Sequence, residues 1–398
     1  MYNKLPKQYF IEDNRTKRDF KTKTFNGYKK TSVFNDMRQN ILSGNIEKAL
    51  FWGAELHCSG YIEEIYKKLF DIYIREINKS NIHLLKNFIK EFNTLTLLKG
   101  TYKNVLDLRN NQYIRNHIHD LICLIIFSEK NKLLKLPILK SPDFNMNNNI
   151  NKIITKNLNN INKFIKEDDH DNLIIPLSEI LLNLKKKHLL KSLENCLFWL
   201  NWILIYEKNY HNNYIICTKR FVKDINNKWL YDFSWILWEI ILSISNTEYI
   251  KILFELYKKD YTKSKKKKKI NLIIFAFIII IDPYPNINYN NNLIDNTKII
   301  IKQKIISNIN FQYLDISKNR TKNIPLKIDN TYVSKKSELS PFFSKNNFKL
   351  CSIEPIVKKF TKNKRLKKDH VKNVYQTTNL YRINEINKII TNERLPRK

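Results

Sequence analysis

All five glycines of this 398-residue chain, Gly27, Gly44, Gly53, Gly60 and Gly100, lie at or before position 100. Everything beyond must fold without the one residue that takes positive φ at no steric cost. A phosphate-binding loop, a dinucleotide fingerprint and a nucleophile elbow each need glycine where backbone approaches a ligand or turns sharply. None of these can be built after Gly100, and the five glycines are too dispersed to build one before it. The remaining class is a helical, basic binding or scaffold protein.

The chain carries 71 Lys and Arg against 37 Asp and Glu, a formal charge of +34. Lys, Asn and Ile are enriched together, as in a gene rich in A and T, so part of the lysine excess follows codon composition. Glu codons are nearly as A/T-rich, and the imbalance of sign therefore points to a polyanionic partner, nucleic acid or an anionic membrane surface. With 43% hydrophobic and 12% aromatic residues, the central chain can bury a core and is not a disordered class. Cys58, Cys123, Cys196, Cys217 and Cys351 are odd in number and never in paired spacing, which argues against a disulfide framework or a zinc knuckle and for a reducing compartment. The start, MYNKLPKQYF, has no apolar signal region. The most apolar run, Ile270 to Ile281, is interrupted by Asn271 and falls short of the roughly 20 residues a spanning helix needs. It reads as a buried core helix, with no transmembrane segment.

Periodicity divides the chain into a basic arm (1–30), a first helical domain (31–136), a linker (137–172), a second helical domain (173–315) and a basic, largely irregular tail (316–398) with a short helix near 380–392. The expected class is all-α, with two helical lobes. In the first domain, helices are expected from Ser32, over Ile46–His57 and Ile62–Ile77, and near 81–98 and 113–128. Ile62, Ile65, Tyr66, Leu69 and Tyr73 recur at the spacing of a buried stripe. In the second, helices are expected over 177–187, 190–207, 212–225, 229–244, 247–259 and 267–281, with one more over Thr297–Phe311. Trp199 and Trp202 share a helix face, as do Trp235 and Trp238. These rings sit among Leu and Ile and read as core, because base-stacking platforms need exposed rings interleaved with cations.

The segments Ile46–Trp52 and Leu193–Trp199 match by residue class at most positions, as a duplicated helical unit would. The stretch Asn40–Leu56, with Ala49, Leu50, Trp52, Ala54 and Leu56 in the pattern A-L-x-W-x-A-x-L, followed by Gly60 and the helix at Ile62, resembles the helical C-terminal region of clamp-loader-like AAA ATPases. The resemblance implies helix packing of the kind that joins subunits there, with Gly53 and Ala54 permitting close approach. It covers about 45 residues and no ATPase module accompanies it. Where that family has an acidic, glycine-containing segment, Glu76–Asn81 stands instead.

A wider similarity, over most of residues 24–245, rests on Thr24-Phe25-Asn26-Gly27-Tyr28-Lys29-Lys30, on Phe51–Leu56 with Cys58-Ser59-Gly60, and on Trp199, Trp202, Trp235 and Trp238. It resembles uncharacterised proteins of nucleocytoplasmic large DNA viruses (giant viruses) and implies a viral origin. The place of action would then be inside an infected host cell, at a cytoplasmic replication site or the nucleus, or in the virion.

Catalytic arrangements are thin. His117 and His119 are two apart and fall on different helix faces. Asp168-Asp169-His170-Asp171 gathers possible metal ligands, but in the expected linker, where no rigid shell would hold them. His57 and Cys58 are adjacent, which is not the spatial pairing thiol catalysis requires. Glu55 and Glu239 lie on aromatic-rich helices and are expected to specify packing. No catalytic, cofactor or metal residue is therefore assigned. The densest long basic cluster is Lys358, Lys359, Lys362, Lys364, Arg365, Lys367, Lys368 and Lys372, the expected contact with phosphates; nuclear import is the other use of such a run. The expected function is non-enzymatic, sequence-independent binding of DNA or RNA, the alternative a viral assembly or virion scaffold binding other viral proteins or itself.

Overall fold

The computed structural model describes residues 5–102, 104–140, 143, 149, 152–155, 159–186, 190–209, 215–282 and 293–321. All belong to a unit that runs to Asn330. The fold is all-α, and among the described residues no strand forms; the nearest approach is an isolated antiparallel bridge between Lys23 and Lys29.

The helices begin and end where capping chemistry directs. Helix α1 (Lys30–Ser43) ends on Gly44 at φ 75°, whose N–H returns to the carbonyls of Asn40 and Ile41. The Asn45 side chain then accepts the Lys48 N–H and opens α2 (Ile46–Cys58). Gly60, at φ 78°, turns the chain into α3 (Ile62–Glu76). Here Ile62, Ile65, Tyr66, Leu69, Ile72 and Tyr73 are all buried, which is the stripe the sequence spacing requires. A Cβ on Gly60 would fall 2.6 Å from Leu106 Cδ2 in a backbone conformation that L-residues resist. Gly60→Ala is therefore expected to destabilise by about 1–3 kcal/mol. Gly100→Ala, with open space around it, is expected to be neutral or stabilising by up to about 1 kcal/mol; urea denaturation of both reads the difference.

Helices α4 (Leu84–Thr101) and α5 (Gln112–Phe127) complete the first set, α5 being capped by the Asn111 side chain on Ile114 N–H. Gly53 of α2 lies against Ile122 and Ile118 of α5, so the close approach that its missing side chain permits is made within the chain. After a single turn, α6 (Asn159–Asn162), come α7 (Ile174–Lys185), α8 (Leu190–Asn209), α9 (Ser234–Ile244), α10 (Glu248–Lys258), α11 (Lys263–Ile281), α12 (Asn296–Ser307) and α13 (Ile309–Thr321). The two echoed segments fall in α2 and α8, each packed against the helix that precedes it, α1 and α7.

Helix α11 organises the core. From Ile270 to Ile281 every residue except Asn271 is buried, so the helix is apolar all round and must be enclosed on all sides. It packs against α3, α7, α8, α9 and α10, and Tyr73 of α3 meets Phe275 of α11 edge-on, with ring centroids 6.2 Å apart. Trp199, Trp202, Trp235 and Trp238 are all buried as core. No helix among the described residues is long and apolar enough to cross a membrane.

Three stretches differ from the sequence expectation. The single helix expected over Thr297–Phe311 is broken at Asn308 into α12 and α13, and α13 carries helix to Thr321, past the expected start of the irregular tail at 316, because Tyr313 and Ile316 are buried in the core. Residues 5–29 are not a free arm: Leu5, Ile11, Phe20 and Phe25 are buried in the body. Asn110 grips the backbone of Ile11, accepting its N–H and donating to its carbonyl at 2.8 and 3.1 Å. Residues 215–225, expected within a helix over 212–225, instead form a loop whose Cys217 and Arg220 N–H groups donate to the carbonyls of Tyr231 and Leu230. The reason is Arg220. Its fully buried guanidinium pairs with the equally buried Asp169 and donates to the Phe164 carbonyl at 2.8 Å, and satisfying that charge outweighs local helix propensity. The short helix expected near 380–392 lies outside the described residues.

Candidate nucleic-acid interface

The eight cations singled out in the sequence, Lys358, Lys359, Lys362, Lys364, Arg365, Lys367, Lys368 and Lys372, lie outside the described residues. Within them, the folded body presents a basic face of its own. The segment from Lys17 to Lys30 closes a tight hairpin: Thr24 N–H donates to Tyr28 carbonyl at 2.8 Å, Lys30 N–H to Thr22 carbonyl at 2.9 Å, and Gly27 at φ 88° makes the reversal. Two anchors fix it to α2. Phe25 N–H donates to Ser59 Oγ at 2.8 Å, and Glu55 accepts both the backbone N–H and the side-chain amide of Asn26 at 2.7 and 2.8 Å. Burial pushes the Glu55 carboxyl upward while these donors oppose the shift. The segments Thr24–Lys30 and Phe51–Gly60 are thus in direct contact.

Inside the hairpin the Arg15 guanidinium lies 4.7 Å from the ring centroids of both Phe20 and Phe25 and is paired with Asp13. Outside it, Lys17, Arg18, Lys21, Lys23 and Lys29 are exposed, and none is in an ion pair with a described acid. Asp19, the acid among them, already accepts from the Thr16 backbone and hydroxyl. Five exposed cations on a folded segment can meet phosphates without the protein first ordering its backbone.

The lysine run that opens α11 divides by helical phase. Lys265, Lys267 and Lys268 face solvent. Lys266 turns inward, with Nζ 2.7 Å from Glu207 and 2.9 Å from Asp232, above the Phe233 ring. Lys269 places Nζ against the carbonyls of Leu256 and Lys259 at the end of α10, where a cation meets the negative end of a helix; burial pulls it down to about 8. Of five consecutive lysines, Lys266 is therefore an interior part of the fold and Lys269 is half-buried.

The groups considered for catalysis are engaged in the packing of the body, and His57 and His119 both lie against the Tyr313 ring, at centroid distances of 5.5 and 5.7 Å. His57 Nδ1 sits 2.6 Å from Tyr313 Oη, tying α2 to α13, while burial pushes the Cys58 thiol up, away from the thiolate a nucleophile needs. His117 Nδ1 lies 3.1 Å from Glu91, and His119 Nδ1 lies 2.8 Å from the Arg115 carbonyl. Asp169 accepts from Arg220 and from the Thr218 and Lys166 backbones, and Glu239 is the second carboxylate beside Arg220. Among the described residues no group of three or more His, Cys, Asp or Glu is placed to hold a metal ion. A cavity of about 330 Å³ is lined chiefly by Ile154, Ile161, Leu181 and Leu182, with Thr155 and Ser178, and brings no carboxylate or imidazole into its wall among the described residues.

Burial holds His119 down to about 4, and this has a signed consequence. An unfolded histidine binds a proton below about pH 6.5, whereas folded His119 does not until about pH 4, so its contribution to stability is full above pH 6.5 and is lost between those values. The loss amounts to about 3 kcal/mol. Glu91 acts in the opposite sense: burial raises it to about 7, so its contribution is full below about pH 4.5 and is lost toward pH 7. The two are separated by difference. The stability gap between the native chain and His119→Gln is expected to narrow as pH falls from 7 to 4, whereas the native chain's gap to Glu91→Gln shifts in favour of the variant as pH rises.

No family model, no curated protein and no solved structure matches the chain.

Proposed function

We propose that this chain is a non-enzymatic viral protein that binds DNA or RNA through phosphate contacts, with the helical body supplying a rigid base for its cations. The observation that carries the reading is the hairpin face of Lys17, Arg18, Lys21, Lys23 and Lys29, exposed and free of acidic partners among the described residues. The tail cluster Lys358–Lys372 adds charge of the same sign. Contacts of this kind position a backbone and carry no base code, so binding is sequence-independent. The viral origin, and action in an infected cell or a virion, rest on the sequence resemblance.

Replacing the five hairpin cations with Gln is expected to weaken duplex binding and to flatten the plot of log affinity against log salt by about 0.9 for each phosphate that is no longer neutralised. Fluorescence anisotropy over a salt series measures both. An assembly or virion scaffold is the second reading, favoured by isolated apolar side chains that face solvent: Ile138 at 93% exposure and Leu97 at 73%. Affinity for nucleic acid that is absent at every salt concentration, together with self-association that Ile138→Asp abolishes, would select it.

A further inference from the structure

Phe221 is 92% exposed, whereas the next most exposed described phenylalanines, Phe311 and Phe10, reach only 39% and 36%. A large ring in water forfeits the transfer free energy that burial would return, and here looseness of the chain does not explain it. The residue before it, Arg220, is fully buried against Asp169 and the Phe164 carbonyl. Asp169 also accepts Thr218 N–H at 2.8 Å, and Cys217 and Arg220 N–H groups reach the carbonyls of Tyr231 and Leu230 at 2.9 and 3.0 Å. At the far end of the loop the chain is pinned again, where Trp229 carbonyl accepts the Trp235 indole N–H at 2.6 Å. The loop is a fixed mount and Phe221 is its outward point.

Its surroundings are cationic. Lys219 and Lys223 flank the ring in sequence, and Lys228 on the same loop is exposed with Nζ 4.8 Å from the Trp229 ring centroid. Asp224, held at φ 66°, is the loop's own acid, and Glu239 is engaged by Arg220. Lysines beside an exposed, immobilised aromatic face make the unit that binds single strands: the cations track phosphates while the ring stacks on a base whose face is free. A purely apolar partner surface would gain nothing from the lysines, and a duplex offers no open base face to the ring.

We propose that the Lys219–Lys228 loop binds single-stranded nucleic acid by stacking a base on Phe221. This rests on the nucleic-acid reading above and specifies its strand form. The experiment titrates the full chain and its variants with a labelled dT oligomer of about 15 nucleotides and with a duplex at fixed salt. Phe221→Ala, at an exposed position that leaves the core untouched, is expected to weaken dT binding on the order of tenfold, with duplex affinity unchanged and Phe221→Trp restoring the single-strand affinity. Native dT affinity in Phe221→Ala, in a chain that still binds with a steep salt slope, would overturn the stacking and leave the polyanion reading standing. Full dT affinity in Phe221→Leu would overturn it too, since a non-aromatic side chain cannot stack. Phe221-dependent pelleting with phosphatidylserine vesicles, with dT binding indifferent to Phe221, would assign the loop to a membrane surface instead. No binding of any nucleic acid by the native chain would remove both the inference and the reading beneath it.

Discussion

Lys266→Ala is expected to lower unfolding stability by about 3–5 kcal/mol, because it leaves Asp232 and Glu207 facing each other in the interior without their cation. Lys266 and Asp232 are 4% and 0% exposed, and Glu207 7%. The Lys266 ammonium donates to both Asp232 oxygens and to Glu207, whereas burial raises the Glu207 carboxyl and Lys266 opposes that shift. In the variant, Glu207 loses the cation that opposes the upward push of burial, and protonation relieves the like-charge pair. The penalty is then present above the unfolded carboxylate range and fades as pH falls below about 4. Lys268→Ala, two residues on and exposed, should stay within about 0.5 kcal/mol of the native chain. Urea denaturation at pH 7 and pH 4 tests both, and equal effects of the two substitutions would contradict the phase assigned to the run.

Arg220→Ala is expected to cost a similar amount, about 3–5 kcal/mol, through a different acid. Asp169 has no exposed side-chain surface, and Arg220 is its charged partner. Removing that partner also withdraws the donor to the Phe164 carbonyl, one of the hydrogen bonds that join the 159–169 region to the loop beyond Cys217, beside Thr218 N–H to Asp169. The substitution should therefore loosen residues 215–226 before the rest of the body, which amide hydrogen exchange reads as reduced protection of the backbone N–H groups at positions 217 and 220. Protection unchanged at these amides would show that the loop is held without the Arg220 side chain, by its backbone pairs with Tyr231 and Leu230 and by Thr218 N–H on Asp169.

These two sites mark where sequence reasoning stops. The stripe of α3 is legible because Ile62, Ile65, Tyr66, Leu69 and Tyr73 repeat with the helix itself. The burial of α11 follows from an apolar run too short to span a membrane, and that of the four tryptophans from their Leu and Ile neighbours. Arg220 cannot be read in the same way, since its partner stands 51 residues earlier and nothing local distinguishes it from a surface cation. Residues 5–29 differ from the free arm expected of them for a related reason: their anchors, Leu5, Ile11, Phe20 and Phe25, follow no period, so apolar patterning gives no signal. The lysine run holds a usable cue. Lys266 and Lys269 lie one turn apart and continue through Ile270 and Ile273 as a single inward face, so extending the α11 stripe backwards separates the interior lysines from the exposed ones.

The same division changes how the charge of +34 should be weighed. Lys266, Lys269, Arg109, Arg115 and Arg220 serve the interior, satisfying carboxylates and carbonyls. On the proposed reading, the cations left for a polyanion are the exposed ones of the 17–29 hairpin and Lys265, Lys267 and Lys268, with those of the tail sequence. The five named first are held by groups of the chain itself and are not part of the charge presented to a partner.

The most direct test is the salt dependence of duplex DNA binding by the native chain and by the chain with Lys17, Arg18, Lys21, Lys23 and Lys29 changed to Gln. A steep negative slope of log affinity against log salt, flattened in the variant by as much as about 4.5 if each of the five neutralises one phosphate, is the predicted result. A slope near zero, or one identical in the two proteins, would contradict the assignment of the hairpin face as the phosphate-binding surface.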